Sequence, residues 1–341
     1  MKKWQLFLIV AVLPALCGCA SSKKSRTTTA QKARTTTVST DKTVSLEKKL
    51  QAADLEKQGK EYQKKGQTDQ AIQCYTRALA LVNDDGGLYR LRGTAYREKN
   101  QLAAALQDLS RALALNSRDG QAYYQRGRVY YLQKKFSESL RDLNQSVAIN
   151  PGDPEPHHLR AIVYYFQNRI PEALADFTRA IALNPKADNS YALRGLIYSG
   201  QKRFSEARAD LDRAIAITPW HYKHYLDKGS ILEQAGQVDG AIAAYEESLQ
   251  RAPASAAKDR EAIQNRLNAL EEAKRQKALA AAAGADQEEE EEEAPPRPAA
   301  PVKKVKRPKP PVTPAKPPAS RPEITVVPRD PFSTVLGEEP K

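Results

Sequence analysis

Between about Val44 and Ala283, apolar and polar positions alternate with a helical period, in stretches of about a dozen residues separated by short polar or Gly/Pro-bearing turns. This predicts helix pairs rather than strands. The pattern also repeats itself. A period of 34 holds six times without insertion or deletion. Gly59, Gly93, Gly127, Ala161, Gly195 and Gly229 form one column. Tyr62, Tyr96, Tyr130, Tyr164, Tyr198 and Leu232 form a second. Ala71, Ala105, Ser139, Ala173, Ala207 and Ala241 form a third, and Ala78, Ala112, Ser146, Ala180, Ala214 and Ser248 a fourth. Pro151, Pro185, Pro219 and Pro253 close four of the units.

Each column has a mechanical reading. The small residue of the first helix lets the second helix approach. The tyrosine one turn later fills the gap between them. The small residues of the second helix let the next unit dock, and proline then stops that helix. Pro171 falls near the start of a second helix, where a missing N–H costs little.

This pattern of aromatic, Gly, Tyr, Ala, Ala and Pro resembles the tetratricopeptide repeat. The resemblance implies an all-α fold: a right-handed superhelix of helix pairs, with a concave groove and a peptide or protein partner. The units are expected at 52–85, 86–119, 120–153, 154–187, 188–221 and 222–255. Residues 256–283, with Ile263, Leu267 and Leu270 on one stripe, are expected as the capping helix that repeat arrays need. Residues 284–293 read as an acidic linker.

One departure from the family pattern is informative. The position before the glycine, commonly Leu, holds Gln58, Arg92, Arg126, Arg160, Arg194 and Lys228. Sixteen residues on stand Cys74, Asp108, Asp142, Asp176, Asp210 and Ala244. Arg and Asp occur together in repeats two to five, which predicts an Arg–Asp pair bridging the helices of each. Cys74, in the Asp column, reads as a half-buried inert thiol.

The N-terminus bears on location. Lys2 and Lys3 precede an apolar stretch from Trp4 to Leu16, the length of a secretory h-region rather than of a membrane span. Leu16-Cys17-Gly18-Cys19 resembles the bacterial lipobox, with Cys19 in the lipidated place. The resemblance implies a signal peptide over 1–18, a diacylglyceryl anchor on Cys19 and a site in the cell envelope. Ala20 after the cysteine points to the outer membrane facing the periplasm rather than to the inner membrane. Residues 19–51, rich in Ser, Thr and Lys, read as the lipidated cysteine and a solvated tether.

Composition narrows the function classes. The chain of 341 residues has three cysteines and four histidines, too few for a disulfide scaffold or a Cys-rich metal centre. His157 and His158 are adjacent, so on a helix they do not face each other. His221 and His224 would need further ligands to hold a metal, and the sequence offers none, so neither metal nor cofactor is expected. No phosphate loop, metal-spaced set or serine elbow is present, so no enzyme is expected. The net charge of +13 lies mostly in the flanks, which suits anionic envelope polymers or head groups more than nucleic acid. Residues 294–341, rich in Pro and Lys, read as a disordered tail, with possible contact to the cell wall.

The resemblance places the groove on set positions of the first helices. Carried over, these bring Tyr124, Tyr131, His158, Ile162, Tyr165 and Leu196 to the centre, with Arg90, Arg97 and Arg128 on their N-terminal side. An aromatic centre with a basic flank suits an extended or helical partner segment carrying some acid. The Lys/Asn clamp that some members use for C-terminal carboxylates is not matched. Six repeats behind a lipobox are similar to the pilot lipoproteins of type IV pilus secretins. The reading is thus a membrane-anchored adaptor for assembling an envelope complex. Two alternatives stay open: an adaptor for peptidoglycan hydrolases or proteases, and a structural tether acting through the basic tail.

Overall fold

The structure, a computed structural model, describes residues 28–293, with side chains described for 45–282. The segment 1–18, Cys19 and the tail 294–341 lie outside the described residues. Every regular element among the described residues is an α-helix, and none is long and apolar enough to cross a membrane.

The helices fall into two compact units, divided between Asp85 and Gly86. In the first, α1 (Thr28–Lys64) packs along α2 (Thr68–Leu81). Gly59 allows this: a Cβ there would lie 2.5 Å from the Tyr75 ring. Cys74 is buried and free. The second unit stacks five further pairs: α3 (Gly86–Glu98) with α4 (Leu102–Leu115), α5 (Gly120–Leu132) with α6 (Phe136–Ile149), and α7 (Pro154–Phe166) with α8 (Ile170–Leu183). Then come α9 (Asp188–Gly200) with α10 (Phe204–Ile217) and α11 (Tyr222–Gln234) with α12 (Val238–Arg251). α13 (Ala257–Glu293) closes it, burying Ile263, Leu267 and Leu270 against Leu232, Ala241 and Tyr245.

The small-residue columns do what small residues allow. Ala105, Ser139, Ala173, Ala207 and Ala241 are all 0% exposed. A Cβ on Gly195 would meet the Ala207 carbonyl oxygen at 3.0 Å, so the two backbones are already in contact. Two columns differ from expectation. The tyrosines are half-buried rather than buried, and at two of them a guanidinium covers the ring face in place of apolar neighbours: Arg203 is 4.2 Å from the Tyr198 ring centroid and Arg169 is 4.4 Å from that of Tyr164. The turn inside every pair also has one fixed form. Gly66, Asn100, Lys134, Asn168, Lys202 and Gly236 all have φ between 57° and 74°. The next N–H returns to the carbonyl of the Tyr column, as from Lys135 to Tyr130 at 2.9 Å and from Arg203 to Tyr198 at 2.9 Å. This is the Schellman closure of a helix end.

Both end helices run past their expected limits. α1 begins at Thr28, so part of the segment read as a tether is helical; the packed turns near Leu55 and Gly59 nucleate a helix that then extends one residue at a time. α13 continues through the acidic run to Glu293, since Ala and Glu both favour helix.

The Arg–Asp pairs are present in all four middle repeats. Arg92, Arg126, Arg160 and Arg194 each hold Asp108, Asp142, Asp176 and Asp210 respectively by two parallel bonds of 2.6–2.9 Å. The third edge of the fork reaches the preceding repeat: Arg126 to Ser110 at 3.3 Å, Arg160 to Asn144 at 2.8 Å and Arg194 to Thr178 at 3.0 Å. In repeat six Lys228 reaches back to Asp212 at 2.6 Å.

Candidate functional site

In the second unit the first helices approach one another: α3 touches α5, α5 touches α7 and α9 touches α11. Their shared face is laced by side chains from successive repeats. Asp119 caps α5 by accepting from the Ala122 N–H at 2.9 Å, and it also accepts from Arg90 Nε at 2.9 Å. Asp153 caps α7 through the Glu155 N–H and accepts from Gln121 at 2.6 Å. Tyr124 donates to Glu155 at 3.3 Å, and Arg128 lies 5.7 Å from the Tyr124 ring centroid. His158 Nδ1 sits 2.7 Å from Ser190 Oγ.

The expected groove residues divide into two groups. Tyr131, Tyr165 and Leu196 are half-buried and pack together over the cluster of Ala161, Ile162, Phe177, Leu193 and Ile197. Phe136 and Phe166 join them: these two rings stack at 5.5 Å, and Tyr131 lies 6.3 and 6.0 Å from them. The sequence reading missed both phenylalanines, which sit at helix ends outside the groove columns. The second group is covered by neighbouring repeats. Ile162 is 0% exposed, Arg97 6% and Tyr124 8%, so these support the face from beneath and offer little surface. Arg90 and Arg128 remain half-buried beside them.

Electrostatics follow burial. Burial, reinforced by Glu155, pushes the Tyr124 phenol up to about 12 against the pull of Arg128 and Arg97. Burial lowers the His158 imidazole to about 4, with Arg128 acting in the same direction and Asp188 opposing. His158 is therefore neutral at neutral pH. His157, its sequence neighbour, turns instead to Asp176, with Nδ1 at 3.2 Å.

A second constellation lies where α9 and α11 begin. His224 Nε2 is 3.1 Å from Asp188 Oδ2 and 3.0 Å from His221 Nδ1. Asp188 Oδ2 also accepts from Thr218 at 2.7 Å. Burial alone would raise the Asp188 carboxyl, but hydrogen bonds from His224, Thr218 and the Asn189 backbone bring it down to about 2. Burial and the nearby His224 lower His221, with Lys223 acting in the same direction and Asp188 opposing. The two histidines were read as lacking a further ligand; Asp188 supplies one. The signal was the period itself: Asp188 shares a column with Tyr222, so one repeat plus two residues leads to His224.

The comparisons with known proteins agree with this architecture. Tetratricopeptide-repeat profiles match residues 56–107 and 158–219, 93–134, 120–153, and 195–268. Among solved structures, Pseudomonas aeruginosa pilF superposes with a TM-score of 0.57 at 16% identity, over 64% of this chain and 99% of that one. A tetratricopeptide repeat protein from Parabacteroides merdae ATCC 43184 gives 0.50 at 18% identity, over 60% and 81%. The Cut9–Hcn1 hetero-tetramer of APC/C gives 0.54 at 15% identity, over 64% and 46%. No curated protein matches the sequence. The chain belongs to the tetratricopeptide-repeat family, an all-α class whose members bind peptides or proteins.

Proposed function

We propose that this protein is a non-catalytic adaptor of the bacterial cell envelope. It is anchored through a lipid on Cys19, and it holds a partner's segment on the first-helix face of its middle repeats. The observation that carries the binding surface is the aromatic patch of Tyr131, Tyr165, Phe136 and Phe166 over a rigid apolar floor. Rigid aromatic rings lose little entropy on binding and bury much area, which is why interfaces favour them. Arg90, paired with Asp119, and Arg128, over the Tyr124 ring, border this patch on its N-terminal side. The lipobox-like Leu16-Cys17-Gly18-Cys19 supports the anchor, and Ala20 after it supports the outer-membrane, periplasm-facing location. Together these fit assembly of an envelope complex such as a secretin.

The experiment is photocrosslinking in the native host, with a probe at Tyr131 and a control at the exposed Gln145 on α6. One envelope protein captured only from Tyr131, and lost on Tyr165→Ala, supports the adaptor. A hydrolase or protease as the captured protein selects wall remodelling over secretin assembly. Equal background from both probes, with function lost only when 294–341 are deleted, replaces the adaptor by a tether. Cys19→Ser, followed by membrane fractionation, tests the anchor separately.

A further inference from the structure

We propose that Asp188, His221 and His224 form a binding site for a divalent transition-metal ion of the zinc class, joining repeats five and six. The three side chains come from different places: the first residue of α9, the residue before α11 and the first turn of α11. Their ligand atoms all lie within 4.8 Å of one another, with two of the separations at 3.0 and 3.1 Å. A tetrahedral zinc with metal–ligand bonds of about 2.0–2.1 Å sets its ligands about 3.3 Å apart. Two of the three separations are close to that shell.

Hydrogen bonding alone leaves this cluster unfinished. His224 Nε2 carries at most one proton, yet it lies within hydrogen-bond reach of both Asp188 Oδ2 and His221 Nδ1. One proton serves one of them well. A cation at the centre takes a lone pair from all three. His224 is 2% exposed, and its other nitrogen, Nδ1, is buried with no hydrogen-bond partner. A metal on Nε2 puts the ring proton on this unpartnered Nδ1, a cost that the three metal–ligand bonds have to exceed. The carboxylate is oriented by Thr218, which donates to the same Oδ2 that faces His224, and by the Asn189 N–H.

The donor set selects the ion. Two imidazoles and one carboxylate suit zinc, copper or nickel, not calcium or magnesium, which prefer oxygen. Three protein ligands leave a fourth position open. His221 is half-buried and Trp220 beside it is 72% exposed, so that position faces solvent or a partner. The positive ends of α9 and α11 and the Lys223 ammonium oppose a cation. Asp188 and the neighbouring Asp227 oppose them in turn.

The test uses the tag-free, chelator-treated full chain, titrated with zinc by calorimetry and with cobalt(II) by visible absorption. The expected result is one equivalent of zinc per chain and the ligand-field bands of a four-coordinate cobalt site. Both should be lost in His221→Ala and Asp188→Asn and kept in Asp239→Asn, an exposed acidic control. Zinc should also raise the melting temperature of the wild type and not of His221→Ala. His221 makes no capping bond, so its loss leaves α11 intact, which circular dichroism checks. His224 is too buried for its replacement to decide the matter. Absence of stoichiometric binding, or binding that survives His221→Ala, overturns the proposal.

Discussion

Arg160 grips Asp176 with two edges of its guanidinium, Nε to Oδ2 at 2.6 Å and Nη2 to Oδ1 at 2.8 Å, while Nη1 holds Asn144 of the repeat before. Asp176 is buried and also faces His157. Its removal strands a largely buried cation. Asp176→Ala should destabilise the array by about 3 kcal/mol, the usual cost of breaking a buried pair. Replacing both partners, as Asp176→Leu with Arg160→Met, should recover most of that loss. Urea denaturation of the two variants reads the difference.

The αL position of the turn makes an opposite prediction. Lys134 and Lys202 hold φ of 58° and 61°, where a Cβ is strained. Lys134→Gly and Lys202→Gly should each stabilise by roughly 0.5 kcal/mol, the strain relieved exceeding the added unfolded-state freedom. Gly66→Ala should cost about 1 kcal/mol, even though a Cβ there meets nothing within 4 Å, because its φ is 72°. Melting curves of the three variants are the check.

Two glycines of one helix should respond differently to the same methyl. At Gly195 the added Cβ meets the Ala207 carbonyl at 3.0 Å, and backbone does not swing away; Gly195→Ala should lose about 1–3 kcal/mol. At Gly200 it meets nothing within 4 Å, so Gly200→Ala should be neutral or gain up to about 0.5 kcal/mol from helix propensity. Parallel denaturation curves decide.

Stability should carry opposed pH terms. His158 is held at about 4, below its ordinary 6.5, so the unfolded chain takes up that proton first as pH falls. The associated stability is complete above pH 6.5 and is lost between there and about 4, at most roughly 3 kcal/mol. Burial raises Asp227 to about 6, against His224 and Lys223, so the native chain protonates it first and gains stability as pH falls from 6 toward 3.8. In metal-free protein, His158→Gln should therefore shrink the acid-side loss, leaving the smaller part that His221 adds in the same direction, and Asp227→Asn should steepen it. Denaturation midpoints at about pH 7 and about pH 4.5 separate the two.

The parts legible in the sequence are those where a column of the repeat carries one chemical property. Gly, Ala and Pro columns marked the helix approaches, and Arg with Asp sixteen residues on marked a bridge across each hairpin. The αL turn was invisible because Gly, Asn and Lys share no side-chain property, only the same backbone demand. Asp188 escaped notice because its partners lie off-column, His221 at the end of its own repeat and His224 in the next. The family resemblance brought Tyr131 and Tyr165 together on the first-helix face, and both pack half-buried against the cluster of Ala161, Ile162, Phe177, Leu193 and Ile197. The resemblance did not tell that the next repeat closes over Ile162 and Tyr124, because that depends on how tightly successive first helices approach.

The backward reach of each arginine sets an order of construction. Arg126, Arg160 and Arg194 bind Ser110, Asn144 and Thr178, residues that leave the ribosome sixteen positions earlier. Lys228 keeps the same backward contact, to Asp212, even though its own repeat has Ala244 in the Asp column. Every acceptor thus exists before its donor is synthesised. A chain emerging from its N-terminal end can lock each new helix pair onto a finished one, without waiting for distant sequence to arrive.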